Sequence, residues 1–548
     1  MKKFTLALLL TAIVNISANA QRAMGEIIDL KQLDATPRQV QLSERSFGSL
    51  PASASVEQWC PTPGDQKQYG TCAAWTTAYG MATILYAKTH NITDKATINK
   101  YAFSATHQYE RIKQPGDNTC QGGSSTIGGL FTIYKKGVAL LSTVPYACNV
   151  SISSAADQEA LNYKFSNLNI LYGNEELASQ LKDASLIKSD QEKIDLNKLT
   201  ISSGYPIAIS FTLPQSFQEV RSKVWHSNPS ETPAQWKHAS HAMVVVGYDD
   251  NVEGGAFKVL NSWGTGFGDN GFIWIRYPDF TKYIKYAAIA FPDPNSAAPS
   301  EAPKPKPEEP KPQPKPDEPK PQPKPDEPKP QPKPQPKPAA ETTFELSGSV
   351  EFKLNTGDDM PIKKTSTRNL TVEDDEPQAK EDLVAYTMSE TYNSGTKFRF
   401  YMTVNKDAYV YAFATDLKGH VNRILPFDDK ISTRVVPNSV IAFPSDTKII
   451  KMDEEKGRDY LLILYSAVAL DSKAMTDKMN NMKGALSDKI KAVLGNKLID
   501  KSKIEYYKDR VGFNTKKISS RNLTVEDDEP TTVTGGSVVP LMVEIKHN

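Results

Sequence analysis

Cys72 closes the stretch Gln66-Lys67-Gln68-Tyr69-Gly70-Thr71-Cys72 and stands directly before an apolar, alanine-rich run that reaches Ala87 at helical spacing. Gly70 and Thr71 suit a turn and an N-cap, so the pattern predicts a helix starting at the cysteine. A thiol there meets unpaired N–H groups and the positive end of the dipole, which favour the thiolate, its reactive form. The competing reading is a buried structural cysteine. A nucleophilic cysteine also needs a base, a group that orients the base, and donors for the oxyanion. His241 opens the apolar run Ala242–Tyr248, and Asn261 closes a second run, Phe257–Leu260, before Ser262-Trp263-Gly264. Gln66 carries an amide N–H₂ six residues before Cys72. His238 and His241 lack further ligands at matching spacing for zinc, so neither a metal nor a cofactor is expected.

Together these pieces resemble the papain-like cysteine peptidases over roughly residues 48–292. Cys120-Gln121-Gly122-Gly123 and Gly271-Phe272-Ile273-Trp274-Ile275 fit the same pattern. The resemblance implies that Cys72 attacks the scissile carbonyl of a protein or peptide substrate. It implies that His241 moves the proton, Asn261 holds the imidazole, and Gln66 with the Cys72 backbone N–H forms the oxyanion hole. Trp263 would shield the Asn–His bond at the edge of the substrate site. Gly122 and Gly123 would pair with the substrate backbone. The implied fold is α+β, with a helical lobe and a β-rich lobe presenting Cys72 and His241 to one another across a cleft. The resemblance also suggests a Cys120–Cys148 disulfide, with Cys60 either free or competing for Cys120.

Three features depart from the family pattern. Ala73 follows the nucleophile where an aromatic residue is usual, and Tyr69 replaces a cysteine three residues before it. His241 lies 169 residues beyond Cys72, more than the roughly 130–150 expected. The polar stretch Val220–Lys237 accounts for part of that excess and is expected to be a loop shaping the cleft. His226 and His238, within and beside it, are expected at the surface.

These elements sit in a chain of 548 residues, too long for one core. The net charge of +1 offers no electrostatic case for nucleic acid or an anionic membrane. Met1–Ala20 has the charged start, short apolar stretch and Ala18-Asn19-Ala20 end of a secretory signal peptide, so export is expected and a membrane span is not. Residues 21–47 read as an N-terminal extension or short propeptide, structural or weakly inhibitory. Within the peptidase region, Ile92–Ile112 and Thr126–Lys136 read as helices. Pro206–Leu213, Ala242–Tyr248, Ala256–Leu260 and Phe272–Tyr277 read as strands.

Residues 293–340 are proline-rich, with a nine-residue repeat starting at Glu309, Glu318 and Glu327. Such a stretch favours polyproline II, a semi-rigid spacer on the order of 100 Å long. Residues 341–548 read as a β-sandwich-like module. Its expected strands are Lys397–Val404, Tyr409–Thr415, Val440–Phe443, Tyr460–Tyr465 and Val538–Ile545, with one amphipathic helix over Met475–Val493. The module resembles uncharacterised β-rich modules of exported bacterial proteins, and a cell-surface or protein partner is its expected ligand. Lys363–Pro377 recurs almost unchanged at Lys516–Pro530, most simply as a duplicated surface segment. Two further readings stand beside the peptidase: an inactive papain-like binding scaffold, and a cysteine amidase acting on cell-wall or isopeptide bonds.

Overall fold

The computed structural model describes residues 24–298, 342–365, 382–415, 419–516, 518–522, 533–534 and 536–548. The signal-peptide stretch, nearly all of the proline-rich stretch and most of both repeat copies lie outside the described residues.

The helix that begins at Cys72 is apolar on all sides and runs through the core of the first module. It opens as α-helix over Cys72–Ala74, widens to a π-helix over Trp75–Ala82 and returns to α-helix over Thr83–Thr89. Gly80 lets it lie close to the sheet, since a Cβ there would come 2.7 Å from the Val244 side chain. Thr126–Lys136 forms the second helix, capped by the Ser125 side chain and closed by Gly137 at φ 72°. The expected helix over Ile92–Ile112 is instead two, Lys95–Lys100 and Ala105–Ile112. The break falls where the Ser104 hydroxyl caps the second by accepting from the His107 N–H.

The β-rich lobe is built around Ser240–Asp249, paired with Ile207–Thr212 on one side and Ala256–Leu260 on the other, with Phe272–Arg276 beyond. Phe165–Gly173 and Ile284–Pro292 extend the sheet past Ile207–Thr212. The Val220–Lys237 stretch is anchored rather than loose. Val224–Trp225 pairs with Trp274–Ile275, and Trp225 is buried among Phe211, Phe217 and Tyr283. His226 and His238 are both exposed.

The C-terminal module is a two-sheet β-sandwich. One sheet centres on Ser347–Leu354 and Lys397–Val404, the other on Gly457–Ser466 between Ala408–Thr415 and Val538–His547. Tyr465 of the second sheet packs edge-on against Phe513 of the first, ring centroids 4.9 Å apart. The single amphipathic helix expected here is two, Ser472–Asn480 and Leu486–Leu494, separated by a turn with Gly484 at φ 105°. Met475, Met479, Leu486 and Ile490 are buried against Tyr411, Phe413, Leu462 and Met542, so the methionine stripe is core.

The two modules touch. Residues 38–46 run between them. Arg38–Gln39 pairs in parallel with Ile431–Ser432 on one side and, at Arg38, with Ile170 on the other. The Ser43 hydroxyl donates to Asp446 at 2.8 Å, and Asn167 donates to the Tyr409 hydroxyl at 3.0 Å. Among the described residues no helix is long and apolar enough to cross a membrane.

Candidate active site

Cys72 starts its helix on the face turned to the sheet, and its side chain packs against Ala73 and Ala242. Ala242 follows His241, so the cysteine meets the strand at the histidine. Pairing of Ser240–Asp249 with Ile207–Thr212 puts His241 opposite Phe211 and Ala242 opposite Ser210. The His241 ring is fully buried and lies 2.8 Å, through Nε2, from Oδ1 of Asn261. That same Oδ1 accepts the Ser262 N–H at 2.8 Å, which identifies it as the oxygen of the carboxamide. Nε2 is therefore the donor in the His–Asn contact, and Nδ1 is the nitrogen able to take a proton. Trp263 stacks on the imidazole, centroids 4.8 Å and planes 30° apart, and excludes water from the His–Asn bond.

Gln66 is held at both ends of its side chain. Its Oε1 accepts from the Ser262 hydroxyl at 2.6 Å, and its Nε2 donates to the Tyr69 carbonyl at 2.8 Å. Tyr146, whose contribution is not apparent from sequence spacing, ties this loop to the helix start. Its hydroxyl donates to the Gln66 carbonyl at 2.9 Å, so in its 2.8 Å contact with Thr71 the threonine is the donor. Thr71 thus occupies the N-cap position, but its side chain does not cap the helix. Cys120 and Cys148 form a disulfide of S–S 2.05 Å, and Cys60 and Cys72 are free thiols. Tyr69, at the position of the missing cysteine, packs against Tyr146.

Residues 55–288 match the family model for papain family cysteine proteases. This segment is a papain-family domain. Residues 391–469 match a domain of unknown function, DUF4384. A curated relative, gamete and mating-type specific protein A of Dictyostelium discoideum, is 24% identical over 212 residues, which is 38% of this chain and 39% of that protein. The chain therefore spans well under half the length of that relative. Among solved structures, xylellain, a cysteine protease from Xylella fastidiosa, is similar at 17% identity and a TM-score of 0.39, over 50% of this chain and 96% of the other. Digestive procathepsin L 3 of Tenebrio molitor larval midgut is similar at 16% identity and a TM-score of 0.37, over 50% and 77%.

The papain-family domain is closed by its own N-terminal residues. Gly25 lies over Cys72, and the backbone N–H groups of Gly25 and Ala242 are directed at the sulfur. The Gly25 carbonyl accepts from Ser124 at 2.7 Å, Ile27 donates to the Ser124 carbonyl at 3.0 Å, and Glu26 donates to the Ser240 carbonyl at 3.3 Å. The segment therefore bonds both walls of the cleft, one beside Gly123 and one beside His241. Gly123 makes room for it, since a Cβ there would come 2.5 Å from the Gly25 carbonyl oxygen. The Gly122 N–H is committed to Asp117 at 3.0 Å, so the residue that pairs with the covering chain is Ser124. Asp117 organises this turn. Burial alone would raise its pKa, but bonds from Tyr109, Gly122, Thr119 and Gln121 bring it down to about 2.

Covering the cysteine reverses the electrostatics that the helix N-terminus suggests. Burial, reinforced by the nearby Glu26 carboxylate, pushes the Cys72 thiol up to about 12. Glu26 is itself 8% exposed. Its carboxyl accepts from the Thr126 hydroxyl at 2.5 Å, the Thr126 N–H at 3.2 Å and the Tyr286 hydroxyl at 2.9 Å. Burial outweighs these bonds and raises the Glu26 pKa to about 7. Nothing in the mixed, polar composition of residues 21–47 singles out Glu26, and Tyr286 lies on a strand that alternation along the chain does not reveal.

Proposed function

We propose that the chain is an exported cysteine endopeptidase that hydrolyses peptide bonds through Cys72, His241, Asn261 and Gln66. The observation that carries this reading is the buried 2.8 Å His241–Asn261 contact under Trp263, on the strand that packs against Cys72. In the open site His241 Nδ1 takes the Cys72 proton, and the thiolate attacks the carbonyl carbon of the scissile bond. The carbonyl π electrons move to oxygen, where the Cys72 N–H and the Gln66 amide stabilise them. The tetrahedral intermediate collapses, the C–N bond breaks and the amine leaves with the proton from the imidazolium. Water, deprotonated by His241, then hydrolyses the thioester, releasing the acid and restoring the thiol.

In the form described, residues 24–28 occupy the cleft, so the reading is of a latent enzyme that acts once they leave. Export rests on the Met1–Ala20 pattern and suits the Cys120–Cys148 disulfide, which persists in oxidising compartments. The C-terminal sandwich, separate in fold and joined at residues 38–46, is read as an attachment module for a cell-surface or protein partner. The test is labelling of the opened chain by a Cys-directed epoxide together with cleavage of unfolded protein. Both should occur in the wild type and neither in Cys72→Ala. Labelling without cleavage of any polypeptide would favour the binding-scaffold reading.

A further inference from the structure

Thr126 and Tyr286 belong to the enzyme, not to the segment that covers it, and they build a polar side-chain pocket beside Cys72. The Thr126 N–H and hydroxyl and the Tyr286 hydroxyl converge on one carboxyl group, that of Glu26. Both residues are fully buried, and Tyr286 also accepts the Ile127 N–H at 3.2 Å, which fixes its ring and points its proton into the pocket. The pocket wall is continuous with Lys285, which donates to the Lys237 carbonyl and the Ser240 hydroxyl just before His241. A groove of about 330 Å³ is lined by Lys285 together with Lys237, His238 and Glu176 and by Ile28 and Leu30 of the segment.

The segment reaches this pocket with its backbone bonded to Ser124 and Ser240, the two walls flanking the nucleophile. A polypeptide held there by its backbone places one side chain where Glu26 lies. When the segment leaves, buried donors remain that an apolar side chain would strand and a side-chain carbonyl oxygen would satisfy.

We propose that this pocket selects a carboxyl or carboxamide on a two-methylene stem. The substrates are thus polypeptides presenting Glu or Gln at the position that fills it, and Glu26 is the built-in occupant. The inference rests on the cysteine peptidase reading for its substrate side, but occupancy of the pocket by Glu26 is testable without turnover.

The experiment compares Cys72 alkylation by iodoacetamide in the full chain at pH 6, for wild type, Glu26→Gln and Glu26→Leu, with Cys72→Ala as the blank. Wild type and Glu26→Gln should react slowly. Glu26→Leu, similar in size but without acceptors, should react at least ten times faster. Equal rates for Leu and wild type, slow or fast, would overturn the proposal. Peptides differing only in the pocket residue are then offered to the Glu26→Leu chain. Glu or Gln should exceed Leu in kcat/KM by on the order of ten- to a hundredfold. Tyr286→Phe combined with Thr126→Val should erase that difference. A preference of the Glu26→Leu chain for Leu or Phe would sink the substrate class even if the double variant fails to fold. An alkylatable chain that cleaves no peptide would instead defeat the peptidase reading and leave the pocket result standing.

Discussion

A Cβ placed on Gly25 would lie 2.0 Å from the carbonyl oxygen of Gly70, two residues before Cys72. The two glycines let the N-terminal segment press its backbone onto the loop that leads to Cys72. Neither backbone can retreat, because the Gly70 N–H donates to Cys120 at 2.7 Å and the Gly25 carbonyl accepts from Ser124 at 2.7 Å.

Gly25→Val should therefore unseat the segment. Overpacking of this kind costs about 1–3 kcal/mol, so Cys72 alkylation in the variant should be about tenfold faster than in wild type. Mass spectrometry of the labelled chain measures it, and an unchanged rate would mean that the segment does not gate the thiol.

Docking of the segment should weaken as pH rises. The Glu26 pKa is raised from 4.5 to about 7 by burial. A raised acid pKa means its contribution is fully present below pH 4.5 and is lost as pH rises through about 7, by about 3 kcal/mol at most. The groups facing Glu26 include Thr126, Tyr286, Lys285 and Cys72. Tyr286 and Cys72 titrate well above this window. Hydrogen-exchange protection of the Glu26 and Ile27 amides, corrected for intrinsic rates, should fall between pH 4.5 and 7 in wild type and stay level in Glu26→Gln.

His241→Ala should lower kcat/KM of the opened enzyme by about 10²–10⁴, the range that general acid–base catalysis supplies. Asn261→Ala should cost less, because Trp263 still stacks on the imidazole and limits its rotation. Steady-state kinetics on one fluorogenic peptide decides the order. Equal losses would show that the carboxamide does more than orient the ring.

Removing the disulfide should loosen the Gly122–Gly123 turn. The Cys120–Cys148 bridge spans 28 residues, a loop whose closure is worth about 3–4 kcal/mol in the chain-entropy account. Cys120→Ser with Cys148→Ser should lower the urea midpoint accordingly and raise KM more than it lowers kcat.

Much of the papain-family domain is legible along the chain because its signals are local. Thr126–Lys136 carries its cap at Ser125 and its stop at Gly137, and Ala256–Leu260 is apolar between turns, so both read correctly to the residue. Cys72, His241 and Asn261 stand at the ends of such elements, where residue type and position alone suggest chemistry, and Gln66 lies in the loop before Cys72. Helix breaks read less well. Ser104 and Gly484 interrupt patterns whose apolar spacing runs on through them, and a local cap or turn overrides the periodicity.

The sequence by itself determined which residues could do the chemistry and which elements carry them, because short-range spacing and capping encode both. Only the tertiary structure decided that Gly25 covers Cys72, that Glu26 sits between Thr126 and Tyr286, and that residues 38–46 join the two modules. Those contacts link residues 47, 100, 260 and about 390 positions apart. No periodicity encodes such distances. They arise because a backbone edge and a buried polar group must each find a partner, and folding brings that partner from elsewhere in the chain.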